Sequence, residues 1–211
     1  MIYISTGGYS NKSAYETIKY LSKFDLHNFE LSGGKYSPSQ NKDLKELSFS
    51  NNFIVHNYFP PPKDAFVLNL ASLDSAIHER SFQHVKSSIK LASQLKSPYY
   101  SFHAGFLVDP KVSELGREVN KRVLYDKEKS LKRFISTVNL LSEYALQNNV
   151  KLLIENNVLT KNNLKRFEQN PLLMVDIEGT SAILEKVSKN IGLLIDVAHL
   201  KVSARTLDFD P

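Results

Sequence analysis

Five residues of types that bind divalent metal ions follow short apolar runs in this sequence. His56 follows FIV, His103 follows YYSF, and Glu155 follows KLLI. Asp196 and His199 form a D-x-x-H motif directly after GLLI. Imidazole nitrogens and carboxylate oxygens suit Zn²⁺, Mn²⁺, Co²⁺ or Fe²⁺, and several imidazoles argue against Mg²⁺ alone. The pattern predicts a divalent metal site, with Mn²⁺ or Zn²⁺ as the first choices.

Each of these residues also has an ordinary structural explanation when it is taken alone. The strongest single signal is Glu155, because a carboxylate directly after four core residues is costly unless it is paired, protonated or bound to metal. Glu30, in FELSGG, ends another predicted strand and could bind a substrate or pair with a nearby lysine. The remaining histidines are predicted to be surface or packing residues: His27, His78 and His84.

Apolar runs and helical patterns alternate along the chain, and these elements must position the five residues. Runs such as FIV and LLI are apolar without alternation, as in parallel strands that are buried on both faces. The predicted strands are residues 2–5, 28–34, 53–59, 98–106, 150–158 and 191–200. The predicted helices are residues 13–24, 42–47, 72–95, 127–147 and 180–189, with a long polar connection at 107–126. This alternation predicts an α/β fold whose strand ends form one rim, where a (β/α) barrel has its active site.

The number of strands predicts an incomplete barrel. A TIM-barrel-type (β/α) repeat has eight strands, and this sequence supplies about six. We therefore expect a barrel truncated after about six of eight strands, with residues 1–211 as a single, C-terminally incomplete domain. An open sheet would expose apolar edges, so a homo-oligomer is compatible with this expectation.

Composition narrows the class of protein without selecting a function. The chain is 42% hydrophobic and 23% charged, as in an ordinary globular protein, and has a formal net charge of +5. It has no Cys, which excludes disulfides and thiolate ligands and fits a cytoplasmic location. There is no signal-peptide pattern and no apolar run long enough to span a membrane, so no membrane partner is expected. The basic charge could serve a nucleic-acid surface, but solvated helix faces are the simpler explanation, because no single run of Lys and Arg is dense.

The sequence resembles the xylose-isomerase-like TIM-barrel superfamily, which includes sugar isomerases and epimerases and also endonuclease IV. The most specific stretch begins at HNYFPPP and ends at SFHAGF; in it a strand-three histidine is followed by NLAS, a long helix and a strand-four H-x-G. ENN on strand five and D-x-x-H on strand six complete the resemblance, which covers almost the whole chain.

The isomerase and epimerase branch implies one set of roles. Its single divalent metal is held by a Glu on strand five, an Asp on strand six, a His on strand seven and a Glu on strand eight. The resemblance places Glu155 and Asp196 in the first two roles and makes Glu155 the catalytic acid and base. His199 would bind a substrate oxygen, and His56 and His103 would line the pocket. The implied activity is isomerisation or epimerisation of a sugar or sugar phosphate through an enediolate-type proton transfer.

The endonuclease IV branch implies a different set of roles. There, three zinc ions serve hydrolysis at abasic sites in DNA, and His56, His103 and Glu155 match the ligands of the first. Glu155 and Asp196 would share the second ion, and His199 would contribute to the third, with nucleic acid as the partner. The absence of Trp and the small SGG rim favour a compact ligand instead.

The ligands of strands seven and eight lie outside this sequence in both branches. Whether this 211-residue form is itself an active enzyme is therefore left open. A non-catalytic binding or assembly role is the third hypothesis.

Overall fold

The computed structural model describes residues 1–9 and 11–211. Within these residues, six parallel strands lie side by side in chain order in one sheet. The strands are β1 (Ile4–Ser5), β2 (Asn28–Leu31), β3 (Asn52–His56), β4 (Tyr99–His103), β5 (Lys151–Glu155) and β6 (Gly192–Leu194). The helices are α1 (Ala14–Leu21), α2 (Gln40–Leu47), α3 (Ser75–Gln94), α4 (Lys127–Gln147), α5 (Lys161–Phe167), α6 (Ile177–Leu184) and α7 (Val197–Leu207). The predicted α/β alternation with a TIM-barrel-like parallel sheet is confirmed.

The helices pack on the sheet through apolar stripes at helical spacing. The stripe of α3 includes Val85, Ile89 and Ala92, all of which are buried. The stripe of α4 includes Phe134 and Val138. Burying each large side chain of this kind stabilises the fold by roughly 1.5–3 kcal/mol. Among the described residues, no helix has the length and apolar content that crossing a bilayer requires.

The register of the strands brings the predicted ligands to one edge of the sheet. His103 on β4 lies directly beside Glu155 on β5. His56 on β3 lies beside Ser101, two residues before His103 on β4. Because all these strands are parallel, their carboxyl ends meet at the same rim.

The largest difference from the predicted elements is at β6. The prediction of a strand over residues 191–200 is wrong, because the strand ends at Leu194 and α7 begins at Val197. Asp196 caps this helix, and its Oδ1 accepts the His199 backbone N–H at 2.8 Å. A side-chain cap of this kind satisfies one of the unpaired N–H groups that every helix start exposes.

Helix α5 was not predicted. Its sequence, KNNLKRF, lacks an apolar stripe at helical spacing, and its buried residues are Asn163 and Phe167. Thr160 caps it by accepting the Asn163 N–H at 3.2 Å. In the sequence, the start of α5 is marked only by this polar cap and not by a periodic apolar pattern.

Residues 107–126 form a long connection, as predicted, and we name it the 107–126 segment. It contains one 3₁₀ turn, Val112–Glu114. Its two ends meet, because the Tyr125 N–H donates to the Leu107 carbonyl at 2.7 Å. This backbone hydrogen bond closes the segment into a loop at its base.

Candidate metal centre

The five predicted ligands converge around the buried carboxylate of Glu155, whose side chain is 5% exposed. Its Oε2 lies 3.3 Å from His56 Nε2 and 3.3 Å from His103 Nδ1. Its Oε1 lies 3.5 Å from His199 Nδ1. Asp196 extends the cluster, with Oδ2 3.7 Å from His199 Nε2. The structure therefore brings all five residues together from β3, β4, β5 and the start of α7.

Two groups of three can each surround a metal ion. The first is His56, His103 and Glu155, and the second is Glu155, Asp196 and His199. Within each group the ligand atoms lie within 4.8 Å of one another. Glu155 belongs to both groups, so its two oxygens can serve one ion or link two.

Two unsatisfied atoms indicate that a cation fits here. Among the described residues, His103 Nδ1 and Glu155 Oε2 are buried without a hydrogen-bond partner, although they lie 3.3 Å apart. Buried polar atoms without partners are rare in folded proteins, because their desolvation is not offset. A divalent cation about 2.0–2.2 Å from such nitrogen and oxygen atoms would satisfy both.

Neighbouring groups orient two of the imidazoles. His56 Nδ1 lies 2.9 Å from Ser101 Oγ. His199 Nδ1 lies 3.0 Å from the Asn156 carbonyl, which can only accept, so Nδ1 carries the proton and Nε2 is free to bind a metal. Hydrogen bonds to the second ring nitrogen are typical of metal-binding histidines.

Asn156 also fixes Asp196. The Asp196 backbone N–H donates to Asn156 Oδ1 at 2.7 Å, and Asn156 Nδ2 donates to the Asp196 carbonyl at 3.1 Å. This residue appeared in the sequence only as part of ENN, and no role was predicted for it or for Ser101. Ser101 could have been identified by its spacing, because residues two apart on a strand, such as Ser101 and His103, lie on the same face of the sheet.

Burial and charge set the protonation of the cluster in a way that suits metal binding. Burial, together with the charges of His56 and His199, lowers the pKa of His103 to about 3. Burial also lowers the pKa of His56. For Glu155, burial and the carboxylates of Asp196 and Glu30 raise the pKa to about 8. Neutral imidazoles are the ligand form, and a cation can replace the proton that Glu155 otherwise holds.

Glu30 lies outside both ligand groups. It pairs in register with Ser5 and Ile54 on the neighbouring strands. Its charge nevertheless acts on the cluster. Burial and the Asp196 carboxylate are the larger causes of the raised pKa of Glu155, and the charge of Glu30 raises this pKa further. Its predicted role in substrate binding stays a prediction.

The cluster opens into a cavity of about 650 Å³. His103 and His199 line this cavity together with aromatic residues such as Tyr58 and Phe106. The 107–126 segment supplies residues 114–119 to its wall. The volume lies within the range of small-molecule sites.

The other three histidines lie away from the cluster. His27 pairs with Asp25, and His78 lies 2.9 Å from Thr137 Oγ1 on α4. His84 stacks on Tyr58 with ring centroids 5.3 Å apart, and burial lowers its pKa to about 4. Their predicted assignment as surface or packing residues agrees with these positions.

Comparison with known proteins identifies the fold family. The sequence profile of the family described as xylose isomerase-like TIM barrel matches residues 15–207. None of the curated proteins matches the sequence. Similar solved structures include an L-ribulose 3-epimerase, with a TM-score of 0.67 and 19% identity, which covers 95% of this chain and 62% of that one. A D-tagatose 3-epimerase-like protein has a TM-score of 0.65 and 20% identity, and covers 89% of this chain and 62% of that one.

A third similar structure is a protein from Thermus thermophilus that was soaked with ZnCl₂. It has a TM-score of 0.58 and 19% identity, and covers 89% of this chain and 64% of that one. This chain therefore spans less than two thirds of the length of these three proteins. At such low identity the likeness establishes the fold alone. Because the family profile matches most of the sequence, the chain belongs to the xylose isomerase-like TIM barrel family.

Proposed function

We propose that this protein is a divalent-metal-dependent isomerase or epimerase that acts on a sugar or sugar phosphate. One observation carries the proposal: the buried carboxylate of Glu155 joins two groups of metal ligands beside a walled cavity of about 650 Å³. Two of the similar structures, an L-ribulose 3-epimerase and a D-tagatose 3-epimerase-like protein, support the same class.

The residues that would hold the ion are Glu155, Asp196 and His199, with His56 and His103 as the second set. A bound divalent ion would supply positive charge that stabilises the negative charge developing on substrate oxygens when a neighbouring carbon loses its proton. We propose Mn²⁺ or Zn²⁺, because the ligands are nitrogen and oxygen atoms only.

Glu155 is the residue that we assign to proton transfer. Its Oε2 faces His56 and His103 and its Oε1 faces His199, so one oxygen could hold the ion while the other accepts and returns a proton. His103 and His199 line the cavity, so they are placed to bind substrate hydroxyl groups. Aromatic residues of the wall, which include Tyr58 and Phe106, offer apolar surface beside these polar groups.

Glu155→Gln tests this function. The replacement keeps the size of the side chain and removes its basicity. We expect exchange of a substrate C–H proton with solvent D₂O, followed by NMR across a panel of ketoses and ketose phosphates with Mn²⁺ or Zn²⁺, to fall about 10²- to 10⁴-fold. Glu143→Gln, the same change at an exposed position on α4, should leave exchange unchanged. Exchange that persists in Glu155→Gln, or that is absent from the metal-loaded wild type, would overturn the proposal.

A zinc-dependent endonuclease acting on abasic DNA is the second candidate. The observation that favours it is the sharing of Glu155 by two ligand groups, since pairs of metal ions serve phosphodiester hydrolysis in many enzymes. The walled cavity favours a small molecule over a duplex. Incubation of zinc-loaded protein with an abasic duplex decides the matter: cleavage supports the endonuclease, and an intact duplex removes it.

A further inference from the structure

One arginine stands out in the wall of the cavity that contains His103 and His199. Among the described residues, Arg117 is the one Lys or Arg residue that lines this cavity, and it is exposed. It lies in the 107–126 segment directly after Gly116, whose φ of +70° is a conformation that glycine adopts readily. The turn at Gly116 places Arg117 at the bend of the segment.

The backbone on both sides of Arg117 is held in place. The buried carboxylate of Glu114 accepts hydrogen bonds from the backbone N–H groups of Lys111, at 2.7 Å, and Asn120, at 3.1 Å. The Arg117 N–H itself donates to the Glu114 carbonyl at 3.1 Å. On the other side, the Val119 N–H donates to Asn163 Oδ1 on α5 at 3.1 Å. The base of the arginine side chain is therefore fixed before any ligand arrives.

The acidic residues beside Arg117 are already engaged. Glu114 pairs with Arg122, whose Nη2 lies 2.8 Å from both carboxylate oxygens. Glu118 pairs with Arg166 on α5. Within residues 1–9 and 11–211, the Arg117 side chain makes no ion pair or hydrogen bond, so its guanidinium remains available in a cavity whose carboxylates are neutralised.

We propose that Arg117 determines substrate specificity by binding the phosphate group of a sugar phosphate. This inference rests on the proposed function, because it concerns the same cavity. The ligand cluster at the rim suits the hydroxyl and carbonyl oxygens of a sugar, and the arginine suits an anionic group on the same molecule. A guanidinium presents paired N–H donors that match two phosphate oxygens, and it keeps its charge at all relevant pH values. The substrate class is therefore a phosphorylated sugar and not a neutral one.

Calorimetric binding of matched ligand pairs tests this inference. The probes are D-fructose with D-fructose 6-phosphate and D-ribulose with D-ribulose 5-phosphate, against the wild type, Arg117→Gln and Lys121→Gln. Lys121 is the matched control, because it lies in the same segment but pairs with Glu168 at 2.6 Å and does not line the cavity. We expect Arg117→Gln to weaken binding of a phosphate ester about 10- to 100-fold and to leave neutral sugars unchanged. Lys121→Gln should bind both as the wild type does.

Three results would overturn the inference: no binding of either ester to the wild type, equal binding of the esters by Arg117→Gln and the wild type, or equal weakening of ester and neutral sugar. The last would indicate a structural role for the arginine. Proton exchange in the same samples separates this inference from the proposed function. Arginine-dependent ester binding without exchange supports the inference and contradicts the isomerase. Exchange that is insensitive to Arg117 supports the isomerase and contradicts the inference.

Discussion

At the scale of single residues, Glu155 has an environment that is unfavourable without a cation. Its carboxylate is buried, and the carboxylates of Asp196 and Glu30 act on it, so its pKa rises to about 8. Within residues 1–9 and 11–211, His103 Nδ1 is buried beside it without a hydrogen-bond partner. A bound divalent ion would offset both the burial of the Glu155 carboxylate and the missing partner of His103 Nδ1. It would bind the folded protein only, because folding brings these ligands together.

This coupling predicts that a metal ion stabilises the folded protein. Mn²⁺ at about 100 times its Kd should raise the melting temperature of the wild type by roughly 5–10 °C, because the ion binds the folded state preferentially. Differential scanning fluorimetry measures the shift, and a chelator should reverse it. Glu155→Gln should lose most of the shift, whereas Glu143→Gln should keep it. An equal shift in Glu155→Gln would show that the ion binds elsewhere.

At the scale of elements, the D-x-x-H motif serves two purposes. Asp196 is the cap of α7, and His199 is the third residue of that helix. A capping side chain commonly accepts the backbone N–H three residues later, and the D-x-x-H motif has this spacing. The same spacing places both side chains in the second ligand group. The sequence did not reveal this helix start, because GLLIDVAHL is apolar enough to continue a strand.

Two substitutions at Asp196 should separate these purposes. Asp196→Ala removes the cap and should lower the free energy of unfolding of the metal-free protein by about 1 kcal/mol. Asp196→Asn keeps a capping oxygen and should leave that free energy within a few tenths of a kcal/mol. Both should weaken metal binding, because neither supplies a carboxylate. Urea denaturation and metal titration measure the two effects, and metal affinity preserved in Asp196→Ala would contradict the ligand assignment.

The 107–126 segment depends on Glu114 in a way that predicts a pH effect. Burial alone would raise the pKa of Glu114, but hydrogen bonds from Lys111, Arg122 and Asn120 lower it from 4.5 to about 2. A carboxyl group with a lowered folded-state pKa stabilises the protein fully above its unfolded value, and this stability is lost as the pH falls toward the folded value.

Glu114→Gln tests this dependence. The wild type should be more stable than the variant to urea at pH 7, because the variant loses the charge that Arg122 and two backbone N–H groups bind. The difference should shrink as the pH falls from about 4.5 toward 2, where the wild-type carboxyl becomes protonated. Glu143→Gln should show no such trend. A difference that stays constant over this range would contradict the assignment.

At the scale of the whole molecule, parallel register explains why the meeting of the five candidate ligands at one rim could be predicted from the sequence, whereas the wall of the cavity could not. The ligands follow strands whose apolar runs are visible in the sequence, and parallel pairing aligns residues such as His103 and Glu155 at one rim. The wall depends on contacts between distant polar residues, such as Arg166 with Glu118. No periodic pattern marks such pairs, and the helix that carries Arg166 was itself not predicted. That residues 1–211 form a single domain, and that the chain associates with itself, stay predictions.

The net charge of the whole chain also yields a prediction. A formal charge of +5 attracts any polyanion at low salt, without regard to sequence or damage. We expect intact and abasic DNA duplexes to bind equally weakly, and both to dissociate as salt rises from about 50 to 200 mM, because such binding depends on counterion release. Fluorescence anisotropy with the two duplexes measures this directly. A preference for the abasic duplex that persists at the higher salt would contradict the expectation and favour the endonuclease, because charge alone cannot distinguish a missing base.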